Sequence, residues 1–413
     1  MDGPLRQIVG VLAVAMIVAI AARRLELPYT VGLAIVGLGL AASKHGFDLP
    51  LTHDMIFDLI LPPLLFEAAL NISWRDLRRD LLPILVFATL GTLVAAGVVA
   101  LGMMRLRDWP APAALLFGVV IAATDPVAVI AMFKDNGVEG RLRLFVESES
   151  LLNDGAAAVF FVVALAWSEH ANAAPSGVET LATLLRIALG GLAIGAGCGG
   201  AAILVAGRTT DHLVEAALTT VAAYGAFLLA EHFATSGVLA SVAAGMVMGS
   251  LGVLAEDEKS FLTSRGRDFT LGFWEFAAFL ANSAVFLLIG ANVAEAPFSI
   301  FGAGLAPTAI AVVLVGRALT VYPLGLAFSR SRWALSLREQ HVLWWGGLRG
   351  ALALALALSL PPSLPRRDEI VVATFGVVAF SIVVQGLTMP LLLRRLGFLA
   401  GRRSRGGGGA DEG

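Results

Sequence analysis

The sequence predicts an all-α integral membrane protein of about thirteen transmembrane helices, and three observations carry that reading. Of its 413 residues 58% are hydrophobic and 15% are charged, where soluble domains carry roughly a quarter charged. Apolar runs of about 20 residues, the length a helix needs to cross a bilayer, recur along the whole chain. The loops between them alternate between rich and poor in Lys and Arg.

In order, the spans fall at about 7–22, 29–43, 53–70, 81–104, 112–133, 144–167, 180–207, 212–231, 233–252, 269–293, 299–328, 340–360 and 369–393. The first follows a lone Arg6 with no small-residue cleavage site, so it reads as a retained helix rather than a signal peptide. The third is interrupted by Pro62-Pro63, and the seventh and eleventh are long enough to tilt. With the N-terminus outside, twenty Lys and Arg fall in inner loops and six in outer ones. Arg186, Arg317 and Arg349 lie within spans. That bias is the positive-inside asymmetry, and a missed span would scramble it. The loop 256–268 reads as a solvated inner connection, and 394–413 as a short flexible cytoplasmic tail.

A net charge of −2 implies no nucleic-acid partner, and the lone Cys198 allows neither an intrachain disulfide nor a thiolate metal site. If the seventh span is a linker, the others form two six-helix halves of opposite orientation. Their fifth members both carry breaks, at Thr124-Asp125-Pro126 and at Gly346-Gly347-Leu348-Arg349-Gly350. Paired interruptions in inverted halves point to the substrate site of a secondary transporter.

The carboxylates sharpen this. A mid-span Asp is expensive in lipid and marks function by default. Pro126 frees a carbonyl one turn earlier, so Asp125 has backbone oxygens with which to share a cation; the alternative is a kinked helix that Asp125 merely caps. Ser150, Asn153 and Asp154 share one helix face. Their hard oxygens suit a small cation such as Na⁺, and the lack of thiol or imidazole argues against zinc or copper. A polar seam between packed helices is the alternative. Glu149 needs a counter-charge, for which Arg349 is the expected partner, and Arg317 needs a carboxylate or carbonyls as a structural clamp. For Glu67, spacing leaves a headgroup-level role and a functional one equally open; Glu275 and Asn282 are likewise undecided as cavity lining. The six histidines (His45, His53, His170, His212, His232, His341) fall near span ends, where they read as interfacial residues or pH modulators.

Taken together and in order, TDPVAV, ESLLNDGAAAVFF and WGGLRGALALAL resemble the signature helices of the NhaP-type sodium/proton antiporters, in the cation:proton antiporter 1 family that includes the Na⁺/H⁺ exchangers. The resemblance implies a core domain (about 81–167 and 299–393) with two unwound, crossing helices, and a scaffold (about 7–70 and 212–293) that forms a homodimer. It implies that Asp154, Asp125 and Ser150, with the Thr124 backbone and Glu67, surround the transported cation. Glu149 would pair with Arg349, and Asn153 would support the site. Asn153 stands where electrogenic relatives carry an aspartate, which implies one-for-one exchange of Na⁺ or Li⁺ for H⁺ in the cell membrane, serving pH and sodium homeostasis without a cofactor. K⁺/H⁺ antiport is the alternative on the same fold. A cation channel fits inverted halves poorly, and an intramembrane hydrolase lacks both HExxH and a mid-span histidine base.

Overall fold

A computed structural model describes residues 3–25, 28–42, 52–135, 137–169, 176–255, 260–295 and 304–398. Among these, all regular structure is helical, and it composes thirteen spans. The first three are α1 (Gly3–Arg24), α2 (Tyr29–Ala42) and α3 (Leu61–Leu70), the last preceded by a π-helical turn, Met55–Ile60. The fourth joins α4 (Trp74–Val86) and α5 (Thr92–Arg107) through a second such turn, Phe87–Gly91. The fifth is split into α6 (Ala111–Val120) and α7 (Val127–Asp135). Single helices make the sixth to eighth: α8 (Arg141–Glu169), α9 (Gly177–Ala206) and α10 (His212–His232). The ninth is α11 (Gly237–Met248) with the π-helical Gly249–Val253; α12 (Ser264–Glu295) and α13 (Leu305–Ala327) follow. The twelfth is split into α14 (Leu337–Trp345) and α15 (Ala351–Leu358). The last runs as α16 (Arg367–Phe380), the π-helical Ser381–Gln385 and α17 (Gly386–Arg395).

Every expected span is therefore present, with ends that shift for local reasons. The fourth starts earlier than its apolar run because α4 opens with an amphipathic stretch, Trp74 to Asp80, that stays helical. The ninth starts later because Ser236 caps α11, its Oγ accepting from the Leu239 amide at 3.2 Å. His45, His170, part of the 256–268 loop and the tail beyond 398 lie outside the described residues.

In lipid, helices associate by close packing of small residues and not by a hydrophobic drive. Gly191, Gly195 and Gly199 lay one face of α9 against the backbone of Ser236, Ala240 and Ala244. The α2–α12 contact is reciprocal: Gly37 faces the Leu287 carbonyl and Gly290 the Ala34 carbonyl. This leads to a paired test. Gly195→Val drives a side chain into the Ala240 backbone, and overpacking of this kind costs about 1–3 kcal/mol. The neighbouring Gly197 faces open space. Thermal unfolding in detergent should show a lowered Tm for Gly195→Val and none for Gly197→Val.

Candidate functional site

Two spans unwind inside the bundle. Pro126 cannot continue the α6 ladder, and three glycines, at 346, 347 and 350, weaken the twelfth span. The two gaps meet. The Asp125 amide donates to the Leu348 carbonyl at 2.8 Å, so the unwound segments cross and bond to each other. Gly350 is required at this approach, because a Cβ there would overlap the Asp125 carboxylate.

Each break strands carbonyls at the end of its first half, and neighbouring spans supply the donors. At the end of α6, Arg349 Nη1 donates to Ala122 O at 3.3 Å and to Ala123 O at 3.2 Å. Asn153 Nδ2 adds a bond to Ala122 O at 3.3 Å, and Ser150 Oγ donates to Thr124 O at 2.8 Å. At the end of α14, Arg317 donates to Leu343 O through Nη2 at 3.1 Å and Nε at 3.3 Å, while Gln385 Nε2 reaches Trp345 O at 2.9 Å. The Arg349 amide donates to Ser381 Oγ at 2.6 Å. An arginine thus sits at the negative end of each half-helix dipole.

The expected Glu149–Arg349 pair is not what forms. Glu149 is held bidentately by Arg317, Nη1–Oε1 at 2.8 Å and Nη2–Oε2 at 3.0 Å. The reason is geometric. From α13, Arg317 reaches the carboxylate and the freed Leu343 carbonyl together, and a Cβ on Gly347 would lie 2.8 Å from its Nε. Arg349 is already committed to the α6 carbonyls.

A cavity of about 1320 Å³ enters past Lys134, Glu275 and Arg394 and ends on Thr124, Asp125 and Asp154. Asp125 Oδ1 accepts from the Val127 amide at 3.0 Å, capping α7, and its Oδ2 lies against Gly350 at the start of α15. Two positive helix ends therefore face one carboxylate. The charged neighbours of Asp154 are Asp125, Glu149 and Arg349, and the Thr124 backbone lies against its carboxylate. Ser150 sits behind this floor: it is buried, its hydroxyl turned to Thr124 O, and it does not line the cavity. Asn153 is equally buried, accepting from Thr92 Oγ1 at 2.9 Å and donating to Thr124 Oγ1 at 3.1 Å. Glu67 lines the wall nearer the mouth, where its charged neighbours are Glu147, Lys134 and Glu275, and its Oε1 accepts from Asn71 at 3.0 Å. The expected cation set of Asp125, Ser150, Asp154 and Glu67 thus spans three depths. Among the described residues no three His, Cys, Asp or Glu converge as a metal cage.

Both Glu275 and Asn282 line the cavity, as do Tyr29 and Glu147. Sequence reasoning passed over Thr92, Ser381 and Gln385. The last two carried a signal, polar residues one helical turn apart in an otherwise apolar span.

The family model for the sodium/hydrogen exchanger transmembrane domain matches residues 11–395. Among curated relatives, the Na⁺/H⁺ antiporter ApNhaP of Aphanothece halophytica is 39% identical over 92% of this chain and 72% of its own length. The low-affinity Na⁺/H⁺ antiporter NhaS1 of Synechocystis is 38% identical, over 97% of this chain and 76% of its own. Among solved structures, the sodium proton antiporter MjNhaP1 of Methanocaldococcus jannaschii at pH 8 has the same fold, with a TM-score of 0.74, 20% identity, and 95% and 99% of the two chains covered.

The corrected ion pair is directly testable. Glu149→Gln leaves a charged Arg317 buried without its partner, a change that costs about 3–5 kcal/mol. The expected result is a marked fall in Tm in detergent, partly recovered by adding Arg317→Met. If Glu149→Gln melts with the wild type, the pair does not hold the crossing.

Proposed function

The chain belongs to the sodium/hydrogen exchanger family, and from that premise we propose that it is a secondary active antiporter exchanging Na⁺ for H⁺ across a membrane. The observation that carries this reading is a cavity that enters from one face and ends on two aspartates at the crossing of two broken helices. Further along α15, Leu354 and Leu356 are buried, apolar and outside the cavity lining, which supports a site presented to one face at a time.

Exchange needs only competition. Na⁺ held by Asp125, Asp154 and the Thr124 backbone displaces protons from the same oxygens, and protons displace Na⁺. Two bare carboxylates are too costly to carry past an apolar seal, so only the occupied site crosses, and the two fluxes are coupled. Ser150 and Asn153 hold Thr124 in place; Glu67 and Glu147 form the acidic approach. Pro126, Arg349 and the Glu149–Arg317 pair maintain the crossing. The neutral Asn153 beside Asp154 supports electroneutral, one-for-one exchange.

The basic bias of the loops supports an N-terminus outside and a C-terminus in the cytoplasm of a cell-membrane protein, an orientation in which the cavity faces the cytoplasm. The core spans (81–167 and 299–393) shift against a scaffold (7–70 and 212–293) that pairs as a homodimer, with α9 as the link. In support, Phe66, Met248 and Trp274 belong to a second hydrophobic cluster that knits α3 and α9 to α12 together. The role is pH and sodium homeostasis.

In proteoliposomes with an imposed pH gradient, Asp154→Asn should abolish Na⁺-driven proton movement; exchange that persists in this variant would sink the assignment. For the wild type, acidifying the cavity side should raise the apparent KM for Na⁺ by up to about tenfold per pH unit, as competition by mass action requires. The rate should not change when the membrane voltage is clamped. Substituting Li⁺ and K⁺ in the same assay sets selectivity, and preference for K⁺ would favour the alternative exchange.

A further inference from the structure

We propose that a basic pocket outside the cavity, where the starts of α4 and α8 meet the α13–α14 connection, binds the phosphate of an anionic lipid headgroup. The pocket holds about 470 Å³ and is lined by Arg78, Arg79, Asp80, Arg141, Arg332 and Trp333. Its lone carboxylate is already engaged: Asp80 Oδ1 accepts from Arg141 Nη2 at 2.9 Å and Nε at 3.0 Å. Arg141 Nη1 donates in turn to Ala334 O at 2.9 Å, which ties the connection down as a floor. The Trp333 indole donates to Arg79 O at 2.9 Å, and the Arg332 guanidinium lies 4.6 Å over its ring. The shape is therefore set before any ligand arrives.

The charge is not balanced within it. Among the described residues the carboxylate that Arg79 meets is Asp76, in an exposed contact at 3.7 Å, a surface pair worth little. Arg78 and Arg332 are exposed and no carboxylate pairs with either among the described residues. Guanidinium forks match phosphate oxygens bidentately, so the unspent donors select a phosphate.

The surroundings select a lipid over a soluble phosphate. Arg78 shares one helical stripe with Leu82 and Leu85, which are 50% and 39% exposed. Leu326, at the end of α13, is 72% exposed. A free phosphate has no use for this apolar skirt, whereas acyl chains would cover it. Trp74 and Trp333 mark the headgroup level, where basic pockets between membrane helices hold anionic lipids. The competing possibility is that these arginines only orient the chain during insertion.

Native mass spectrometry of the full chain, titrated with phosphatidylglycerol, phosphatidylcholine and inorganic phosphate, separates the possibilities. Phosphatidylglycerol should bind in preference to phosphatidylcholine. Arg78→Gln should weaken it about fivefold and the double variant with Arg332→Gln about twenty-five-fold, at about fivefold per arginine. Arg208→Gln, an exposed basic residue elsewhere, should leave it unchanged. Equal binding of the two lipids, or equal loss with Arg208→Gln, would overturn the proposal. So would inorganic phosphate that binds alone with the same arginine dependence, since it would assign the pocket to a soluble ligand. Should the double variant not purify, the single Arg78→Gln decides the matter alone.

Discussion

The hydrogen bond from the Asp125 amide to the Leu348 carbonyl joins two stretches of chain that have given up their own helices. Unpaired backbone deep in a bilayer costs several kcal/mol per group, so an unwound segment survives there only if protein surrounds it with partners. That requirement dictates much of the rest. Asn153 and Ser150 on α8 serve one gap, and Arg317 on α13 with Gln385 near α17 serves the other. Arg349 and Ser381 tie the two gaps to the final span. Remove the breaks and these buried polar side chains would have no reason to be there.

The same arrangement decides which charges are locked and which stay available. Glu149 is fully committed to Arg317, at 2% and 6% side-chain exposure respectively. Arg349 spends Nη1 on two carbonyls and keeps one buried nitrogen, Nε, without a hydrogen-bond partner. Asp125 and Asp154 are left at the cavity floor with backbone and helix ends beside them but no direct salt bridge among the described residues. A carboxylate clamped by arginine would bind neither ion nor proton reversibly. Under the proposed exchange, these two are the carboxylates left unclamped to do both.

The span pattern and both breaks could be read from the sequence because lipid imposes blunt rules: apolar runs of fixed length, basic loops on one side, and Pro126 or clustered glycines where helices fail. Partner choice was harder to read. Arg317 and Arg349 are both mid-span and both plausible for Glu149; the winner was set by which freed carbonyl each one also reaches, a three-dimensional fact that spacing does not carry. Ser150 shares a helix face with Asp154, yet its short side chain is captured by Thr124 O and never reaches the cavity. Depth was likewise invisible for Glu67, since its place on the wall depends on how α3 is seated against α11 and α12.

A recess of about 1320 Å³ that reaches the aspartates from one face also has an electrical consequence. It carries the electrical potential of one bulk phase down to the aspartates, so the transmembrane voltage falls mainly across the thin apolar layer beyond them, and low-dielectric walls concentrate that field. Under the proposed one-for-one exchange no net charge crosses that layer in a cycle, so even a field concentrated there leaves turnover insensitive to it.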